Sequence, residues 1–118
     1  MPFMTNCKRW EIILVPFPFT DLTSFKRRPA LVVSPDSYNA DKDVVIAYMT
    51  SQMVVSPKIG DYKLQEWKAA GLPKPSIIRM KFATIDQTIV IKTIGEIEAV
   101  DREEIEKVLI SFSNHNFR

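Results

Sequence analysis

Three short apolar runs, Ile12 to Val15, Ala30 to Val33 and Val44 to Met49, constrain the fold of this chain more than any other feature. Each is rich in β-branched residues and bounded by Pro, Asp, Asn or Ser. Length and composition make them buried strands rather than helices. A fourth segment, Ile77 to Ile85, alternates, with Ile78, Met80 and Phe82 on one face and Ile77, Arg79 and Lys81 on the other. Asp86-Gln87 reads as a turn into a fifth strand, Thr88 to Ile94, ending at Gly95, so that two of the strands form a hairpin. The C-terminus changes period. Asp101 followed by Glu104 is a capping-box pattern, Val100 is placed to staple onto Ile105, and Ile105, Val108, Leu109 and Phe112 form one helical stripe. A short helix is expected near Leu64 to Ala70, with Leu64 and Trp67 on one face and Gly71 at the left-handed C′ position. Strands on short loops with one helix at the end predict a mainly β (α+β) chain. Its expected form is a small antiparallel barrel or curled sheet packed by a terminal helix.

A length of 118 residues is most simply one domain over 1–118 and is enough for a core without covalent staples. The balance of 46% apolar to 25% charged residues is that of an ordinary globule. No run approaches the ~20 apolar residues that span a bilayer, so no membrane role is expected. The N-terminus shows no apolar signal core, and the single Cys7 forms no internal disulfide, which fits a reducing cytoplasm. Net charge is only +2, so a case for nucleic acid rests on where the cations sit.

They sit together at Lys26-Arg27-Arg28, followed by Pro29 and the second apolar run, which ends at Ser34. Charge fixed at a rigid strand mouth is a place to hold phosphate. In register with it come Ile12 to Leu22 (with Leu14-Val15-Pro16-Phe17-Pro18-Phe19-Thr20-Asp21), Ser34-Pro35-Asp36-Ser37-Tyr38-Asn39 and Thr50-Ser51-Gln52. Trp67 to Leu72, Pro75 to Arg79 and Ala83-Thr84-Ile85-Asp86 follow in order. Through these pieces nearly the whole chain resembles the PemK/MazF family of toxin endoribonucleases from bacterial toxin–antitoxin pairs. The resemblance implies an SH3-like β-barrel with helices, usually a homodimer. It also implies metal-independent cleavage of single-stranded RNA to a 2′,3′-cyclic phosphate and a 5′-hydroxyl, with no cofactor and with a cognate antitoxin as partner. Arg28, before Pro29, matches the family's catalytic arginine, and Thr50 matches its catalytic hydroxyl residue. There are departures. Many members begin the first strand with Gly-Asp or Gly-Glu, whereas here Trp10 precedes Glu11, and Asp21 is the only carboxylate of the loop from Thr20 to Arg27.

The residue chemistry agrees with these roles. Cleavage within RNA needs in-line attack by a 2′-hydroxyl and stabilised charge on the phosphorane oxygens. Arg28 suits the second task, because its planar fork grips two phosphate oxygens and stays charged; the same property makes it a poor proton acceptor. Proton donation to the leaving oxygen remains open to it, and the general base is unassigned. Thr50 is placed to bond the phosphate or orient Arg28, with Ser51 the alternative if the register slips by one. Lys26 and Arg27 read either as phosphate contacts or as a solvated charge run. Arg79 and Lys81, on one strand face, would suit single strands beside a stacking aromatic. Phe17, Phe19, Phe25 and Trp67 are the candidate stackers, and Phe25 is the one expected to be exposed. His115 is the only histidine and lies near the C-terminus, which excludes a histidine-pair mechanism. Metal-ligand spacings are absent. The competing reading is a non-catalytic barrel that binds a protein, such as a gyrase-type target, or nucleic acid.

Overall fold

The computed structural model describes residues 6–17, 26–51 and 58–115. Among these the chain forms β1 (Glu11–Phe17), β2 (Lys26–Val32), α1 (Asp36–Asn39), β3 (Asp43–Thr50), β4 (Tyr62–Lys63), β5 (Ile77–Asp86), β6 (Lys92–Glu96) and α2 (Ala99–His115). The strands make one antiparallel sheet in the order β4-β5-β3-β2-β1-β6. With β4 and β6 at its edges, the sheet is a curled half-barrel, and α2 packs at its end.

The three apolar runs lie in β1, β2 and β3, and both faces of the sheet are covered there, which is why they read as continuous rather than alternating. Ile12, Leu31, Ala47, Met49 and Ile78 point to one side, where they meet Leu64, Leu72, Ile97 and, from α2, Ile105. Ile13, Val15, Ala30, Val32, Val44 and Ile46 point to the other, against Cys7 and Ile85. Burying one such Ile or Val is worth about 1.5–3 kcal/mol. These two layers bury the centre of the sheet on both sides and leave its ends to carry the loops.

The β2–β3 connection is fixed by polar groups. Asn39, fully buried, donates from Nδ2 to the Ser34 carbonyl (3.0 Å) and accepts from the Ser34 hydroxyl. Ser34 Oγ in turn accepts from the Val45 amide (2.9 Å). The buried amide of Gln87 donates to the carbonyls of Asn39 (2.7 Å) and Asp41 (2.9 Å) and accepts from the Cys7 amide (2.8 Å).

Several expectations need correction. The fifth strand does not begin at Thr88. Asp86 Oδ1 accepts from the amide (2.9 Å) and hydroxyl (2.8 Å) of Thr88, folding Gln87–Ile89 into a 3-10 turn, so β6 starts at Lys92. β6 pairs with β1 while β5 lies between β3 and β4, so the two do not form a hairpin. Asp101 is not a cap of its own helix, which begins two residues earlier at Ala99. Its fully buried carboxylate accepts instead from the Tyr62 hydroxyl (2.6 Å) and the amides of Gln65 (2.8 Å) and Glu66 (2.9 Å), and Val100 is exposed rather than stapled. Those amides open the stretch expected to be a short helix near Leu64 to Ala70, which is a single hydrogen-bonded turn. It closes as foreseen at Gly71: with φ at 92°, Gly71 donates to Lys68 O (3.0 Å) and Leu72 to Trp67 O (3.1 Å).

Candidate functional site

Along β2 the chain passes from three exposed cations to three buried apolar residues, so Lys26, Arg27 and Arg28 ride on a strand whose far half is anchored in the core. Arg28 lies opposite Val15 of β1, and its guanidinium stands 5.8 Å from the centre of the Phe17 ring. Phe17 meets Tyr48 of β3 edge to face, with centroids 5.6 Å apart. The Lys81 ammonium of β5 lies 5.2 Å from the Tyr48 ring centre. Four neighbouring strands thus contribute a continuous row: cation, aromatic, aromatic, cation.

The row borders a cavity of about 870 Å³. Arg28, Tyr48, Thr50 and Ser51 line it from β2 and the end of β3; Leu72, Pro73, Lys74 and Ser76 form the opposite wall; Arg79, Lys92 and Ile94 complete it. Four of its lining residues are cationic and none carries a carboxylate. A second cavity, about 530 Å³, mixes Lys8, Arg9 and Arg102 with Glu11, Asp36 and Glu96, so its charges offset one another. An anionic ligand is drawn to the first.

Arg79 is held from behind. Its guanidinium is largely buried and pairs with Asp61 at 3.4 Å, while Asp61 also accepts from the Lys58 amide (2.9 Å). Nε and Nη2 of Arg79 have no hydrogen-bond acceptor of good geometry. Buried donors left in that condition are costly, and the pairing of Nη2 with Asp61 offsets part of that cost.

The structure brings Arg28, Thr50, Ser51 and Arg79 to one cavity, with Lys81 at its border through Tyr48. A register shift in the β3–β5 pairing between Ala47 and Met49 gives Arg79 and Lys81 different neighbours, Asp61 and Tyr48. Lys26 and Arg27 are exposed on β2 and do not line the cavity. Trp67 is half-buried against the core rather than at the site. Phe19, Phe25 and Asp21 lie outside the described residues. Sequence reasoning missed Tyr48, Lys74 and Lys92. Only Lys74 carried a signal, its place between Pro73 and Pro75 on a stiffened turn.

The cavity has no carboxylate or histidine among its lining residues, so the arrangement supplies charge stabilisation and hydrogen bonding but no evident proton acceptor. Cys7 is buried among Ile13, Val15 and Ala30 and does not line the cavity, and burial followed by the Glu11 charge pushes its thiol up, away from nucleophilic use. Among the described residues no group of three or more His, Cys, Asp or Glu is placed to hold a metal ion, and no helix is long and apolar enough to cross a membrane.

Residues 8–113 match the family model of the PemK-like, MazF-like toxins of type II toxin–antitoxin systems. Among solved structures, the chain is similar to an endoribonuclease in complex with its cognate antitoxin from a mycobacterial species (15% identity, TM-score 0.71, 92% of this chain and 93% of that one). It is similar also to MazF from Deinococcus radiodurans (20% identity, TM-score 0.70, 94% and 99%). The Mycobacterium tuberculosis toxin MazF-mt6 gives 18% identity and a TM-score of 0.67 over 84% and 91% of the two chains. At these identities the likeness is one of fold. A comparison with curated protein sequences found no match.

Proposed function

The chain belongs to the family of PemK-like, MazF-like toxins of type II toxin–antitoxin systems, and from that premise we propose that it is an endoribonuclease acting on single-stranded RNA. Its chemistry is attack of a 2′-hydroxyl on the adjacent phosphorus, leaving a 2′,3′-cyclic phosphate and a 5′-hydroxyl without a metal ion. The observation that carries this reading is the cavity of four cations and no carboxylate, with Arg28 and Thr50 on its wall. The exposed Arg28 fork takes two oxygens of the scissile phosphate and stabilises the charge that builds on them. Thr50 bonds the same phosphate or orients Arg28, with Ser51 beside it. Arg79, held by Asp61, adds its positive charge to the cavity wall, and Lys81, Lys26 and Arg27 hold the strand's other phosphates.

The same cations suit an acidic segment of a cognate antitoxin, and the mycobacterial neighbour bound to its antitoxin supports a partner of that kind. A homodimer working in the cytoplasm is the assembly this reading carries. The test is incubation of purified protein with a diverse single-stranded RNA pool in EDTA. Fragments bearing 5′-hydroxyl ends are expected, and a folded protein that cuts none of the pool would sink the enzyme in favour of a non-catalytic binder. Arg28→Ala is expected to lower the cleavage rate by about 10²–10³-fold, with the melting temperature unchanged because the residue is exposed. Cleavage at the wild-type rate would refute the assignment.

A further inference from the structure

Tyr48 is half-buried on β3, two residues before Thr50, and shares the cavity wall with Arg28 and Thr50. Across the sheet its partner is Ala30, which is fully buried. Phe17 abuts the ring edge to face, and Lys81 lies over it. We propose that Tyr48, braced by Phe17, is the residue on which an unpaired base stacks beside the phosphodiester held by Arg28. The inference rests on the single-stranded RNA reading and deepens it by naming the group that takes the base.

Three physical points carry it. A ring buttressed edge-on by a second ring and rooted on a central strand is fixed in orientation, so stacking on it costs little ordering. The Lys81 contact is an exposed cation–π pair, weaker than base–aromatic stacking, so an arriving base displaces the ammonium. The displaced ammonium, still at the cavity border, is then placed for the adjoining phosphate. Arg28 stands against the other end of the same aromatic pair, which sets the stacked base next to the phosphate that Arg28 binds. Every base offers a π face, so the contact selects for unpaired strands and, through stacking strength, biases cleavage context.

The test is binding of a mixed-sequence single strand of about twelve nucleotides bearing 2′-fluoro sugars, which lacks the attacking hydroxyl. It is compared with a strand of the same phosphates carrying abasic spacers. Tyr48→Ala is expected to weaken binding of the first about tenfold, or about 1.4 kcal/mol. On the abasic strand the variant and the wild type are expected to bind alike. Tyr48→Phe, which keeps the ring, is expected to restore the affinity. Tyr48→Leu, close in volume but without a ring, is expected to melt near the wild type and bind as weakly as the alanine variant, which separates stacking from folding. Wild-type affinity in Tyr48→Leu, or an equal loss on both strands, would overturn the proposal. Cleavage of ordinary RNA by the wild type is measured alongside. Its absence would remove the endoribonuclease reading while leaving the stacking comparison intact.

Discussion

Trp10 has φ at 77°, in the left-handed region where a residue with a Cβ costs about 1–2 kcal/mol. Glycine meets such a backbone demand at no steric cost. The bend lets the Trp10 amide donate to Val32 O (2.8 Å) while its carbonyl accepts from Ile97 (3.0 Å), joining β1 to the chain entering α2. The indole recovers the cost by burial in the core beneath the Arg9 guanidinium, which lies 4.5 Å from the ring centre. Removing a buried Trp costs about 3–5 kcal/mol, more than the strain that glycine would relieve. Trp10→Gly is therefore expected to destabilise by about 2–3 kcal/mol in urea unfolding, and an unchanged midpoint would show that the relieved strain is as large as the lost burial. The same scale shows what single residues disclose beforehand. Arg28 was legible because Pro29 fixes its place in a motif. Tyr48 was not, because a tyrosine in a strand is ordinary β-propensity until Phe17 is brought beside it. Asp101 misled for a related reason. An Asp three residues before a Glu has the signature of a cap, but its acceptors went to a neighbouring turn and to Tyr62, whose hydroxyl burial and the Asp101 bond push up to about 12.

Among the elements, β6 shows how a strand can be recognised and still misplaced. The apolar residues from Ile89 to Ile94 announce extended chain, but where it begins depends on the Asp86–Thr88 bonds and on Gln87 facing inward to serve three other segments. Such non-local demands leave no periodicity in the sequence. What β6 does next depends on Gly95. A Cβ there would collide with the carbonyl oxygen of Ala70, so β6 lies directly against the turn that ends at Gly71. That contact sets one wall of the cavity, since Leu72 stands on the turn and Lys92 and Ile94 on the strand. Gly95→Ala forces the two apart at a cost of about 1–3 kcal/mol, as overpacking does elsewhere. The expected outcome is a lowered melting temperature together with weaker RNA binding, because stability and cavity shape share the contact. Normal melting in that variant would mean that the turn yields freely.

For the molecule as a whole, the decisive property is the distribution of charge rather than its sum. A net charge of +2 gives little long-range attraction for RNA, yet four cations line one cavity free of carboxylates. Much of the balancing acidity lies elsewhere, for example Glu103, Glu104 and Glu106 along α2. The sheet creates this separation. Its two buried faces leave the ends of β2, β3 and β5 as the places where charge collects, and the runs in the sequence disclosed the faces but not which loops would close over one end. Binding should accordingly be local and limited in its counterion release. If about three phosphates are neutralised, the slope of log affinity against log salt is about −2 for a single strand. Raising salt from about 50 to about 200 mM then weakens binding roughly fifteenfold. Lys92→Gln is expected to flatten the slope by about 0.7, the share of one phosphate. Lys107→Gln, on the exposed face of α2 beside Glu104, is expected to leave it unchanged. Equal flattening by both variants would mean that RNA follows the diffuse field of the whole surface, and the cavity would lose its claim to the substrate.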